Sequence, residues 1–203
     1  MESSFPTIAF ISVLLLFLAN NNIIQSEAQL APTFYDSRCP RALDTIRTLI
    51  RQAISHKRRS LASLIRLHFH DCFIQVISNA NLYMQMKHDF KGCDGSILPT
   101  ETRTAQSEKT TLANNNSARG FEVIEAAKRK VEKICPRIIS CADILSIAAR
   151  DASVAVGDPT WQVKLGRRYS TTTSHSAADD NLPSPFATLT YFQVPEQGIR
   201  LPC

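Results

Sequence analysis

Within RLHFHDCF (residues 66–73) an arginine and a histidine, Arg66 and His70, stand four apart, with the aromatic Phe69 between them. On a helix, residues at i, i+3 and i+4 project from one face, so these three share a face while Asp71 points to another. A permanent cation beside an imidazole disfavours the protonated ring. That pairing suits a site that shuttles a proton and stabilises developing negative charge better than it suits a packed core. Taken alone, the eight residues also fit a surface arginine and a packed histidine, so their context has to decide.

The element carrying them must be a helix, and its neighbours read the same way. Residues 41–55 place Leu43, Ile46, Ile50, Ala53 and Ile54 near helical spacing, and 61–73 continue the pattern. Phe121, Ile124, Ala127, Val131 and Ile134 form another apolar stripe, ended by Cys135-Pro136. Ser140 and Asp143 read as a capping box opening a helix through CADILSIAARDASVAV. Gly157 to Thr160 make a turn, and no alternating run of strand length competes. The fold class is therefore mainly α.

Composition narrows the class. With 203 residues and 44% hydrophobic side chains, the chain can bury one sizeable core. The apolar run Ile8 to Ala19 is short of the ~20 residues of a spanning helix. Small residues around Ala28 then suggest a cleavage point, so residues 1–28 read as a signal peptide and 29–203 as the mature domain, beginning at Gln29. An n-region with Glu2 and no Lys or Arg argues weakly against this. Cleavage removes Glu2 and Glu27, leaving 23 basic against 16 acidic residues. The charges alternate in sign along stretches such as AAKRKVEK, and no basic run interleaves with aromatics, which disfavours nucleic-acid binding. Six cysteines, Cys39, Cys72, Cys93, Cys135, Cys141 and Cys203, behind a signal peptide imply disulfides, with fifteen pairings open. No cysteine pair has the spacing of a zinc knuckle.

RLHFHDCF, GCDGSIL, NNNSARGFEVIEAAKRKVEKICP, SCADILSIAARD and PTWQVKLGRR occur in that order. Together they resemble the secretory (class III) plant haem peroxidases over residues 29 to about 190, and specifically the distal part of that fold. The resemblance implies that His70 is the distal acid/base, that Arg66 polarises bound peroxide and that Phe69 lies over the haem. It makes Asn114 the partner that keeps the other nitrogen of His70 basic, and puts Pro183 at the mouth where aromatic donors bind. Haem b would hold the oxidising equivalents that small phenolic donors remove, in a response to oxidative stress. A calcium site is implied too, with side-chain oxygens from Asp71, Asp94 and Ser96, carbonyls from Ile74 and Gly92, and a water-mediated contact from Glu108. The family's disulfides pair Cys39 with Cys135 and Cys72 with Cys93, and Cys141 with a cysteine near the C-terminus. The expected protein is secreted to the extracellular space or cell wall, is a monomer in contact with no membrane once mature, and uses hydrogen peroxide.

Two departures stand out. Val76 to Lys91 (VISNANLYMQMKHDFK) is inserted in the calcium loop, and its first and last codons are compatible with the GT and AG of a retained intron. After FATLT the chain diverges, from about 191 to 203, with no match to the family segment that supplies the proximal histidine. Neither His56, His68, His88 nor His175 matches that ligand motif. A smaller departure is Tyr169, where the family usually has Asp, and Asn115-Asn116-Ser117 is a glycosylation sequon. A non-catalytic fragment with distal helices and no working haem site is therefore the rival to a hydrogen-peroxide-dependent oxidoreductase.

Overall fold

The computed structural model describes residues 30–74, 93–102, 106–170 and 173–182. The signal segment, the insertion at 76–91, Gly92, Pro183 and the tail with Cys203 lie outside the described residues. Five α-helices follow in order: α1 (Ala42–His56), α2 (Arg59–Ile74), α3 (Phe121–Ile134), α4 (Cys141–Val154) and α5 (His175–Asn181). A 3-10 turn, Glu108–Thr110, precedes α3. Among the described residues the only β pairing is one antiparallel bridge between Ala31 and Leu165.

Each long helix forms where the sequence places an apolar stripe. α1 buries Ala42, Ile46 and Ile50 at intervals of four, and α3 buries Ile124, Ala127 and Val131. α4 is different, with eleven of its fourteen residues buried, because α1, α2 and α3 all pack against it. Small residues on its surface, Ala142, Ala148, Ala149 and Ala152, permit those close approaches. Gly120 begins α3 at φ 97°, a left-handed conformation, and a Cβ there would stand 3.2 Å from Leu64 Cδ2 on α2.

Two disulfides tie the helices as the family resemblance implied. Cys39–Cys135 joins the lead-in to α1 with the end of α3, and Cys72–Cys93 joins the last turn of α2 to the loop beyond the insertion. Cys141 is a free, half-buried thiol at the start of α4.

The expected capping box is half realised. Ser140 Oγ accepts from Asp143 N–H at 3.1 Å, but the Asp143 carboxylate does not return to Ser140. It is fully buried and accepts from the Tyr35 hydroxyl (2.6 Å), from Gly166 N–H (2.7 Å) and from the Arg167 guanidinium (3.2 Å). This long-range hub fixes the N-terminal segment and the 163–167 segment against α4, a role that local spacing does not announce. His175 opens α5, which Ser174 caps by accepting from Ala177 N–H at 3.3 Å.

Because α4 is the shared wall of the core, Leu145→Ala should cost about 2–5 kcal/mol of unfolding free energy, read as a lower midpoint in urea at unchanged slope.

Candidate functional site

α2 brings the sequence-predicted residues together but divides them by environment. His70 and Asp71 are buried, whereas Arg66 and Phe69 are exposed. The Phe69 ring still meets His70 edge to face at 5.8 Å and Phe73 at 5.0 Å. Ile65 and Phe69, four apart and 37% and 38% exposed, leave an apolar strip uncovered beside Arg66. A flat apolar group with polar substituents matches that strip in chemistry. Arg66 Nη2 donates to Ser117 Oγ at 2.7 Å, which aims the guanidinium across the helix. In the sequence Ser117 reads only as part of a glycosylation sequon, because nothing local relates it to Arg66, 51 residues away.

The protonation pattern of His70 follows from its partners. Asn114 Nδ2 donates to the Glu108 carbonyl at 2.8 Å, so its Oδ1 must be the atom that faces His70 Nδ1 at 2.5 Å. An amide oxygen only accepts, which makes Nδ1 the protonated nitrogen and leaves Nε2 with its lone pair. Burial, and secondarily the Arg66 charge, lowers the His70 pKa, against the Asn114 bond that raises it. His70 is thus neutral at neutral pH and able to accept a proton at Nε2.

On the other side of α2, Asp71 organises the 93–97 loop. Its Oδ2 accepts from Gly95 N–H at 3.0 Å and its Oδ1 from Ile97 N–H at 3.3 Å. Gly95 sits at φ 78°, where a Cβ would lie 3.2 Å from the Ala142 nitrogen of α4. Ser96 N–H donates to Asp94 Oδ1 (3.1 Å) and Ser96 Oγ to Glu108 Oε2 (3.1 Å). Ser174 N–H donates to Glu108 Oε1 at 2.9 Å, a contact the sequence reading missed because the residues are 66 apart. Burial pushes Asp71 up to about 7, helped by the charges of Asp94 and Glu108, and Glu108 is raised for the same reasons. Asp71, Asp94 and Glu108, with Ser96, make an oxygen donor set suited to a hard cation, and His175 near Glu108 acts to lower the pKa of that carboxyl. Ile74, buried at the end of α2, packs with Ala178 and Leu182, while Gly92 and Pro183 are outside the described residues.

The remaining described histidines are placed elsewhere. His56 is exposed at the end of α1, His175 lies 3.5 Å from the Asp179 carboxylate, and His68 is buried with its ring nitrogens 3.6 and 3.7 Å from Cys72 Sγ.

Comparison with known proteins fits this geometry. The family model described as peroxidase matches residues 46–194. The chain belongs to the peroxidase family. It is 58% identical over 181 residues to a lignin-forming anionic peroxidase of Nicotiana sylvestris, covering 89% of this chain and 50% of that protein. Peroxidase 70 of Zea mays is 45% identical over 184 residues (91% and 51%), and a basic peroxidase of Zinnia elegans 48% over 182 (90% and 50%). These relatives are plant peroxidases, as the motifs implied, and the chain spans about half their length.

His68 supplies a pH test. Burial, and secondarily the Arg167 charge, lowers its pKa from 6.5 to about 4, so between those values the unfolded chain binds the proton more readily. Its share of stability is complete above pH 6.5 and is lost as pH falls toward 4. His68→Gln should flatten the decline of the thermal midpoint across this window, while an unchanged slope would refute the assignment.

Proposed function

We propose that this chain is the distal unit of a haem-dependent peroxidase that reduces hydrogen peroxide and oxidises small phenolic donors. The observation that carries the reading is the Glu108–Asn114–His70 chain, which presents a basic Nε2 near a guanidinium. Haem b, when bound, supplies the iron that holds the peroxide and stores the two oxidising equivalents. The residues that would face it are Phe69 and Ile65, beside Arg66. His70 Nε2 takes a proton from hydrogen peroxide and returns it to the departing oxygen, while Arg66 stabilises the negative charge on that oxygen. Asn114 holds the ring so that Nε2 stays the acceptor throughout. Pro183 is assigned to the donor mouth by resemblance alone.

Calcium is the proposed second cofactor, on Asp71, Asp94, Ser96 and Glu108 with carbonyls of Ile74 and Gly92. The cation would favour the charged carboxylates of Asp71 and Glu108, whose pKa values burial raises. Secretion as a monomer to the extracellular space or cell wall, and a role in oxidative stress, complete the reading. No helix among the described residues is long and apolar enough to cross a membrane. The rival reading is a non-catalytic fragment. It draws on the absence, among the described residues, of a histidine positioned to serve as the axial ligand such haem chemistry uses.

Haem titration of the 203-residue chain separates the two: the fragment reading expects no stoichiometric binding and no phenol oxidation. Joining residues 30–182, without 76–91, to a relative's C-terminal half should then yield a haem protein. In it His70→Ala should slow peroxide cleavage by roughly two to four powers of ten. A rate unaffected by His70→Ala would overturn the acid/base role.

Calcium at a hundred times its dissociation constant should raise unfolding free energy by about 2.7 kcal/mol, and chelation should reverse the gain. Asp71→Ala should abolish the response, and a calcium effect that survives it would place the ion elsewhere.

A further inference from the structure

The corner where α2 meets the 93–97 loop holds a second set of ligand-type atoms that the peroxidase chemistry does not use. His68, Cys72 and Cys93 each offer one ligand atom, and these atoms lie within 4.8 Å of one another. His68 and Cys72 are one helical turn apart on α2, so the helix itself fixes their spacing. Cys93 is brought to them from 21 residues away and is 5% exposed.

The distances suit a tetrahedral divalent metal such as zinc. Tetrahedral zinc, with Zn–S of about 2.3 Å and Zn–N of about 2.0–2.1 Å, sets its nitrogen and sulfur ligands about 3.6 Å apart and its sulfurs about 3.8 Å apart. The His68 ring nitrogens stand 3.6 and 3.7 Å from Cys72 Sγ, so that edge of the tetrahedron already exists. Its near equality for both nitrogens lets either one become the ligand after a turn of the ring about Cβ–Cγ. Burial keeps the ring neutral, the form that coordinates. What stands between this arrangement and a metal site is the bond between the two sulfurs.

We propose that reduction of the Cys72–Cys93 disulfide turns this corner into a site for zinc or a similar soft divalent cation, held by His68 and two thiolates with water in the fourth position. A phosphine reductant breaks the S–S bond and delivers two electrons, becoming a phosphine oxide with the oxygen of one water, whose two protons complete the thiols. The cation then binds as both thiols release their protons to solvent. The sulfurs separate from bonding distance to about 3.8 Å, a movement for which Cys93 in its loop is better placed than Cys72 on its helix.

The test uses the full chain under anaerobic conditions, with cobalt(II) as a visible substitute for zinc. After phosphine reduction, one cobalt per chain should bind with tetrahedral bands in the visible and a thiolate charge-transfer band in the near ultraviolet, and zinc should displace it. The unreduced chain should show neither band. His68→Ala should weaken binding about ten-fold or more, the scale of lost coordination support. Cys93→Ser should diminish the charge-transfer band, whereas Cys141→Ser and Cys203→Ser should leave the spectrum unchanged. Bound zinc should also protect Cys72 and Cys93, but not Cys141, from alkylation. The proposal is overturned by a reduced chain that keeps its helical signal and binds no cobalt. It is overturned equally by spectra that depend on Cys141 rather than Cys93, or by a reduced chain that unfolds and is not restored by zinc.

Discussion

Two neighbouring residues on one rigid helix, His70 and Asp71, are both buried and both polar, and each must be satisfied on its own side of α2. Burying either without partners would cost several kcal/mol, enough to matter against the marginal stability of a domain. Much of the surrounding chain answers that requirement. The 93–97 loop turns its amides toward Asp71, and the 107–118 segment turns Asn114 toward His70. Glu108 belongs to both answers, because its carbonyl orients Asn114 while its carboxylate is held by Ser96 and Ser174. The Asp71 corner and the His70–Asn114 pair are therefore parts of a single hydrogen-bonded frame.

That frame explains what could be read from the sequence. α1, α2, α3 and α4 were legible because each carries an apolar stripe at helical spacing, and their observed bounds lie within about two residues of those expected. The pairing of Asn114 with His70 was legible only through motif resemblance, since nothing local relates the two across 44 residues. The disulfide pairing came from the same source, as six cysteines by themselves left it undetermined.

What escaped was contact between distant polar groups. Asp143 read as a helix cap because Ser140 stands three residues before it, but its carboxylate is spent on Tyr35, Gly166 and Arg167. Ser117 and Ser174 carry no pattern, and their roles arise from where the turns deliver them. The sequence signals no helix over 173–182 for a related reason: a seven-residue helix is too short to show a period, and α5 is held by Ile74, Ala178 and Leu182 packing together.

The two disulfides are nested, with Cys72–Cys93 lying wholly inside the interval spanned by Cys39 and Cys135. On the proposed secretory route the chain enters the oxidising compartment from its N-terminal end, so Cys39 arrives first and meets Cys72, then Cys93, before its proper partner exists. The native outer bond encloses 96 residues of separation, against 21 for the inner one. Loop closure favours the shorter link, and an early bond between Cys39 and Cys72 would have to be exchanged rather than kept. Correct maturation thus depends on vectorial order: the inner loop must close, and Cys39 must stay unspent, until α3 has been made and has delivered Cys135.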